Sequence, residues 1–217
     1  MQVRKLLRTA TVGAALTTLA LVAGLLQGTA AQAGQDGRAK VKVDVSAGAL
    51  DTGRAVAGDG VKFVAQARAA GLTAAQAHGL QVKADKYLGA FGKEASQVGP
   101  DKIVFGGASL LLAVPGEAQP RGLSSSADRQ MAISCPYTYF CAYSAQWFTG
   151  DAFLLEQCGW NTYIPWSTTG SWKNNQTSGT QPWLYFWDGQ SPWHMPGAYA
   201  EQASGVGWFP VDSIVPC

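Results

Sequence analysis

Histidine is nearly missing from this chain of 217 residues: His78 and His194 are the only two. That leaves little room for imidazole-based metal or acid–base chemistry. Charge is also scarce, at 14% of residues, while 47% are hydrophobic, a balance too apolar for intrinsic disorder. Beyond the extreme N-terminus there is no long apolar run, which argues against an integral membrane protein. No G-x-S-x-G, H-E-x-x-H or cysteine-protease signature occurs. A Ser–His–Asp triad would have to combine His194 with Asp188 or Asp212, and a solvated or merely hydrogen-bonded loop histidine is far commoner. His78 falls on a predicted helix and is expected to be solvated. The expectation is a non-enzyme with no cofactor and no metal.

What is present begins with an export signal. Arg4, Lys5 and Arg8 form a basic stretch, Ala14 to Leu26 an apolar one, and Ala31-Gln32-Ala33 supplies the small residues that a signal peptidase needs. Residues 1–33 are therefore predicted to be a signal peptide and the protein to be secreted and extracellular. Export would remove three basic residues and no acidic one, changing the net charge from +2 to −1. A near-neutral mature chain has no electrostatic drive towards nucleic acid or anionic membrane.

Composition changes sharply near residue 130. All 8 Trp and all 4 Cys lie beyond it, and residues 131–217 hold one base, Lys173, against five acids, for a net −4. Residues 34–130 carry 12 bases and 9 acids, or +3. This break predicts two units that fold separately.

The first, residues 34–114, reads as a small α+β leader of two helices and a hairpin. Asp59 can cap a helix over 60–70 that Gly71 would stop. Thr73 and Gln76 have the spacing of a capping box for a second helix reaching about Phe91. Lys102 to Phe105, Gly106-Gly107 and Ser109 to Val114 read as a hairpin with a glycine turn. Residues 115–130, PGEAQPRGLSSSADRQ, read as an exposed linker, with Arg121 and Arg129 open to proteases. A thin core, opposite charge and a cleavable linker make residues 34–130 a candidate removable pro-segment.

Residues 131–217 carry short apolar runs at 139–143, 152–155, 183–187 and 213–215. Gly170, Gly179, Gly189, Gly197 and Gly205 recur every eight to ten residues, the spacing of turns. This predicts an all-β sandwich or barrel. With export and an even cysteine count, disulfides are the default, and four cysteines allow three connectivities.

Within this unit Tyr143, Phe148 and Gly150 have the aromatic–aromatic–glycine spacing of a folded-over hairpin, and the segment resembles the first hairpin of a β/γ-crystallin Greek-key motif. Gly170-Ser171-Trp172 would sit on a later strand, and Gly207 to Ile214 resembles the closing part of a second, degenerate motif. More specifically, Cys135-Pro136, Cys141-Ala142-Tyr143, Cys158-Gly159 and Gly170-Ser171-Trp172-Lys173-Asn174-Asn175 are similar to a family of secreted bacterial metalloproteinase inhibitors with a crystallin-like fold. The resemblance covers residues 133–217. It implies a crystallin-like Greek-key β-sandwich, hence a mainly β protein, and inhibition of an extracellular peptidase. It also favours pairing Cys135 with Cys141, leaving Cys158 with Cys217 to close a long loop. Many microbial crystallin motifs bind calcium, but Ser167-Thr168-Thr169-Gly170-Ser171 offers no carboxylate at the first two ligand positions, so calcium is not expected there. Asn174 to Ser178 reads as a polar turn.

The tryptophans divide into two groups. Trp147, Trp172 and Trp208 lie in or beside predicted strands and read as core. Trp160, Trp166, Trp187 and Trp193 lie beside Gly, Asn, Pro or Asp in predicted loops and form a candidate binding surface. The expected function is a secreted, monomeric, non-enzymatic binder, preferably a peptidase inhibitor. The alternatives are a carbohydrate or cell-wall glycan binding module using the loop tryptophans, and a small secreted crystallin-fold toxin.

Overall fold

The computed structural model describes residues 60–217, all within one compact unit. The expected signal peptide, Asp59 and the start of the leader lie outside the described residues. Helix α1 covers residues 60–69 and α2 covers Ala74–Phe91. The capping box is formed: the Gln76 amide donates to Thr73 Oγ1 at 3.2 Å and the Thr73 amide to Gln76 Oε1 at 3.1 Å. Strands β1 (Ala95–Gly99), β2 (Lys102–Phe105) and β3 (Ala108–Leu111) follow, then α3 (Ser126–Ser134). The remaining strands are β4 (Tyr139–Ala145), β5 (Thr149–Leu155), β6 (Thr162–Tyr163), β7 (Thr169–Asn175), β8 (Trp183–Phe186), β9 (Trp193–His194), β10 (Glu201–Gly207) and β11 (Val211–Val215).

They make two antiparallel sheets, so the protein is mainly β. The larger runs β1-β2-β3-β5-β4-β7-β10 and the smaller β6-β11-β8-β9. Each sheet takes one strand from the other's stretch of chain: β6 leaves the first half to join the small sheet, and β10 leaves the second half to join the large one.

The predicted break into separately folding units is not what the structure has. β3 pairs with β5 from Ala108↔Leu155 to Leu111↔Ala152, so the leader's strands extend the large sheet without interruption. Alternation along β3 and β5 sends side chains to opposite faces. Leu110, Phe153 and Leu155 enter one buried cluster with Leu80 and Ala84 of α2 and Leu184 and Ile214 of the small sheet. Leu111, Ala152 and Leu154 enter another with Ala132 of α3, Cys141 and Tyr143. One face of the large sheet is thus shared by α2 and the small sheet, and α3 covers the other. Each fully buried Leu or Phe stabilises the fold by roughly 2 kcal/mol, and much of that sum joins the leader to the rest.

The predicted linker is fixed as well. Asp101, itself buried, accepts from the Leu123 amide at 2.7 Å and from Ser124 Oγ at 3.3 Å, and Lys102 Nζ lies 2.6 Å from Asp128 Oδ1. Burial pushes the Asp101 carboxyl up from the ordinary carboxylate range. Ser125 caps α3 by accepting from the Asp128 amide. Residues 115–130 are therefore a braced connection whose last residues are helical.

Both disulfides join the expected partners, Cys135 to Cys141 and Cys158 to Cys217. The first holds the end of α3 against β4. The second ties the C-terminus to the segment after β5.

Candidate functional site

The β4–β5 hairpin is the most tightly specified local structure. Tyr143 and Phe148 meet edge to face at 5.6 Å. Ser171 Oγ accepts from the Phe148 amide at 2.9 Å and donates to the Ala145 carbonyl at 2.8 Å. Gly150 has φ +81, and a Cβ there would lie 2.2 Å from Ser144 Oγ, so only glycine fits. Tyr143, Phe148, Gly150 and Ser171 are thus brought together. Trp172 lies one residue on, buried in the core and stacked with Phe140 at 6.0 Å.

At the tip of this hairpin Trp147 and Phe148 both adopt left-handed backbone, φ 61 and φ 58. Such conformations cost L-residues about 1–2 kcal/mol each. Phe148 is compensated by Tyr143 and by Lys173 Nζ, which sits 4.0 Å from its ring centroid. Trp147 is turned outward, with 68% of its surface exposed. It was expected in the core as a continuation of the strand pattern, and the left-handed turn rotates it to the surface instead. Its backbone is nevertheless held, because its amide donates to the Ala203 carbonyl at 2.6 Å and Thr149 Oγ1 donates to the Gln146 carbonyl at 2.7 Å.

The four tryptophans expected to form a binding surface do not form one. Trp166 is only 6% exposed. It packs against Phe153 at 4.8 Å and Trp208 at 5.8 Å, and its Nε1 donates to the Tyr87 hydroxyl at 2.9 Å. The loop that carries it dips into the core because its one polar atom finds a partner there. Trp160 is exposed but lies against the β2–β3 turn, where a Cβ on Gly106 would come within 2.9 Å of its ring. Trp187 and Trp193 are exposed at the small sheet, joined there by Trp183, Tyr185 and Tyr163, which sequence reasoning had left out. The signal for that set was the alternation along β8, where Trp183 and Tyr185 face out while Leu184 faces the core.

A polar cluster lines a cleft beside α2. Asp151 accepts from Lys83 Nζ at 2.8 Å, the Tyr87 hydroxyl at 2.7 Å and the Ala113 amide at 2.8 Å. Burial first, then the charge of Asp151, pushes the Tyr87 phenol far above its usual range. Lys83 Nζ also donates to the Ala113 carbonyl at 2.8 Å, so the cluster is a strut that ties α2 to β5 and to the segment after β3.

His194 sits on β9 with its ring stacked on Trp183 at 4.1 Å. Among the described residues it has no bond to either suggested acid: Asp188 accepts from the Gln190 amide, and Asp212 from Ser213 Oγ. No group of three or more His, Cys, Asp or Glu among the described residues is placed to hold a metal. The segment read as a polar turn starts later than expected. Asn174 and Asn175 belong to β7, and buried Asn174 donates to the Thr180 and Pro196 carbonyls at 2.9 and 3.1 Å. Among the described residues no helix is long and apolar enough to cross a membrane.

Comparison with protein-family models, with curated proteins and with solved structures finds no match for this chain.

Proposed function

We propose that the protein is a secreted, non-enzymatic inhibitor that docks the tip of its β4–β5 hairpin into an extracellular peptidase. The observation that carries this reading is Trp147, a large apolar side chain, 68% exposed, on a strained backbone whose neighbouring polar groups are already bonded within the fold. Strain retained at an exposed position points to function. A preorganised loop loses little entropy on docking, and tryptophan is enriched among interface residues that carry binding energy. Two disulfides and a continuous sheet under the hairpin suit a protein that must survive its target.

A crystallin-like Greek key is the fold half of this proposal. It is supported by β7 returning to pair with β4 from Tyr139↔Asn175 to Tyr143↔Ser171, by the exchange of β6 and β10 between the sheets, and by the Tyr143–Phe148–Gly150–Ser171 corner.

The test is titration of the full chain against a panel of secreted metallo- and serine peptidases. Stoichiometric loss of activity is expected for at least one of them, weakened tenfold or more by Trp147→Ala with the melting temperature unchanged. Failure to inhibit any of the panel, or inhibition indifferent to Trp147→Ala, overturns the reading.

A further inference from the structure

Among the described residues, exposed rings gather on the outer face of the small sheet, where Tyr163, Trp183 and Tyr185 are all open to solvent. Pairing places Tyr163, Ser213 and Tyr185 in one row across β6, β11 and β8, and Val215, Trp183 and His194 in the next row across β11, β8 and β9. Their neighbours Leu184 and Ile214 point the other way, into the core. The outer rows therefore carry four rings on a rigid backing, with Ser213 buried between the two tyrosines and one face of Trp183 covered by His194. Trp183 and His194 lie parallel, 4.1 Å apart with 8° between planes. Just beyond, Trp187 is 58% exposed yet fixed, its Nε1 donating to the Phe209 carbonyl at 2.6 Å.

Two properties narrow what such a face can hold. The first is charge. Asp212 is the sole charged residue on the four strands, and no Lys or Arg lies on them, so a phosphate, nucleic acid or acidic glycan gains no ion pair. The second is size. The four strands β6, β11, β8 and β9 hold 2, 5, 4 and 2 residues, and at about 4.8 Å by 3.3 Å each these cover roughly 200 Å². A stable protein partner or second copy needs about 800 Å² from each side. What fits is a small, neutral ligand with flat apolar faces and polar edges.

A pyranose ring with equatorial hydroxyls has that chemistry: its axial C–H groups form two apolar faces and its hydroxyls form the rim. The rings supply surfaces for the faces, while the Tyr163 and Tyr185 hydroxyls, which bond to nothing among the described residues, are free for the rim. We propose that this face binds a neutral polysaccharide of equatorially substituted pyranose units, through Trp183 and Tyr185 at its centre. The site is separate from Trp147 and does not depend on the peptidase reading.

The experiment uses the full chain with cellohexaose and chitohexaose as soluble probes, followed by tryptophan fluorescence, and with cellulose and chitin as solid probes in sedimentation. Binding of at least one probe is expected, weakened tenfold or more by Trp183→Ala and by Tyr185→Ala, and unchanged by Trp147→Ala. Cooperative urea unfolding of each variant separates lost binding from lost fold. Absence of binding to all four probes, or binding that survives both Trp183→Ala and Tyr185→Ala, overturns the proposal. So does a concentration-dependent dimer abolished by Trp183→Ala, which would assign the face to a second copy.

Discussion

The hydroxyl of Tyr87 in α2 donates to Asp151 of β5 at 2.7 Å across 64 residues of chain. Lys83 and the Ala113 amide reach the same carboxylate, and Trp166 donates to the Tyr87 oxygen from the other side. One buried acid thus fastens the helix, the end of the leader hairpin and a core tryptophan. Its desolvation is offset only because all three donors are present.

Removing the carboxylate leaves the Tyr87 phenol and the Ala113 amide without an acceptor and strips Lys83 of its counter-charge, leaving it only the Ala113 carbonyl, so Asp151→Ala is expected to cost about 3–5 kcal/mol. Tyr87→Phe leaves Asp151 two other donors but also removes the acceptor of the buried Trp166 Nε1, with an expected loss of about 2–3 kcal/mol. Urea unfolding of the two variants checks the ordering. Equal effects would show that the cluster does not act as a strut.

Residues 131–217 alone should not fold cooperatively. Without β3 the β5 edge from Ala152 to Leu155 loses its ladder, and Phe153, Leu155 and Trp166 lose the cover of α2 and β3. Exposed apolar surface and an unpaired edge favour aggregation. The expected outcome is loss of near-ultraviolet dichroism and a broad, probe-dependent urea transition for the fragment, against a single sharp one for residues 34–217. A sharp two-state transition for the fragment would restore the leader as a dispensable segment.

Much of this fold is legible from local chemistry. The Thr73 capping box, the 102–111 hairpin and the Tyr143–Gly150 spacing each depend on residues within a few positions of one another, and each forms. Long-range pairing is not encoded that way. β1, Ala-Ser-Gln-Val-Gly, has little strand propensity of its own and exists because β2 pairs with it. The composition break near residue 130 records a change of residue types and carries no information about β3 meeting β5. The tryptophans mislead for the same reason: Trp166 looks like a loop residue until Tyr87, 79 positions away, accepts its N–H. Trp147 looks like core until two left-handed residues turn it out.

The two disulfides should differ in worth. Cys158–Cys217 spans 59 residues and Cys135–Cys141 spans 6. On the chain-entropy account the longer loop contributes about 4 kcal/mol and the shorter about 2 kcal/mol. The paired Cys→Ser variants, compared by urea unfolding, should differ by about 2 kcal/mol in that direction. A larger loss from the short bridge would show that fixing α3 over Tyr143 matters more than loop closure.

Alkaline stability should depend on Tyr139. Burial, then its hydrogen bond to Glu156, pushes this phenol up to about 12 from 10.0. The folded chain therefore holds the proton more tightly than the unfolded one. The resulting stabilisation is complete below pH 10 and is lost as pH rises from 10 towards 12. Tyr139→Phe should flatten the fall in unfolding free energy across that window. Phenolate absorbance of the native protein should likewise rise later than that of the unfolded chain. An unchanged slope in the variant would place the alkaline transition elsewhere.

Gly170 fits both the turn spacing and the later-strand segment Gly170-Ser171-Trp172, and it is a buried residue of β7, as the second reading has it. A Cβ built there would lie 2.1 Å from Trp208 Nε1 and 2.2 Å from the Tyr143 carbonyl oxygen, the two atoms joined by a buried hydrogen bond of 2.7 Å. A methyl group cannot enter without breaking that bond and displacing an indole packed against Trp166. Overpacking costs about 1–3 kcal/mol and a buried unsatisfied indole N–H about 1–3 kcal/mol more. Gly170→Ala is therefore expected to lose about 3–5 kcal/mol, with a change in near-ultraviolet tryptophan dichroism. Gly179→Ala is the matched control. It sits in an exposed turn with nothing within 4 Å of an added Cβ but with φ +87, so its cost is backbone strain alone, about 1 kcal/mol. If the two variants were equally stable, the close approach of Trp208 to β7 would not be what fixes glycine at position 170.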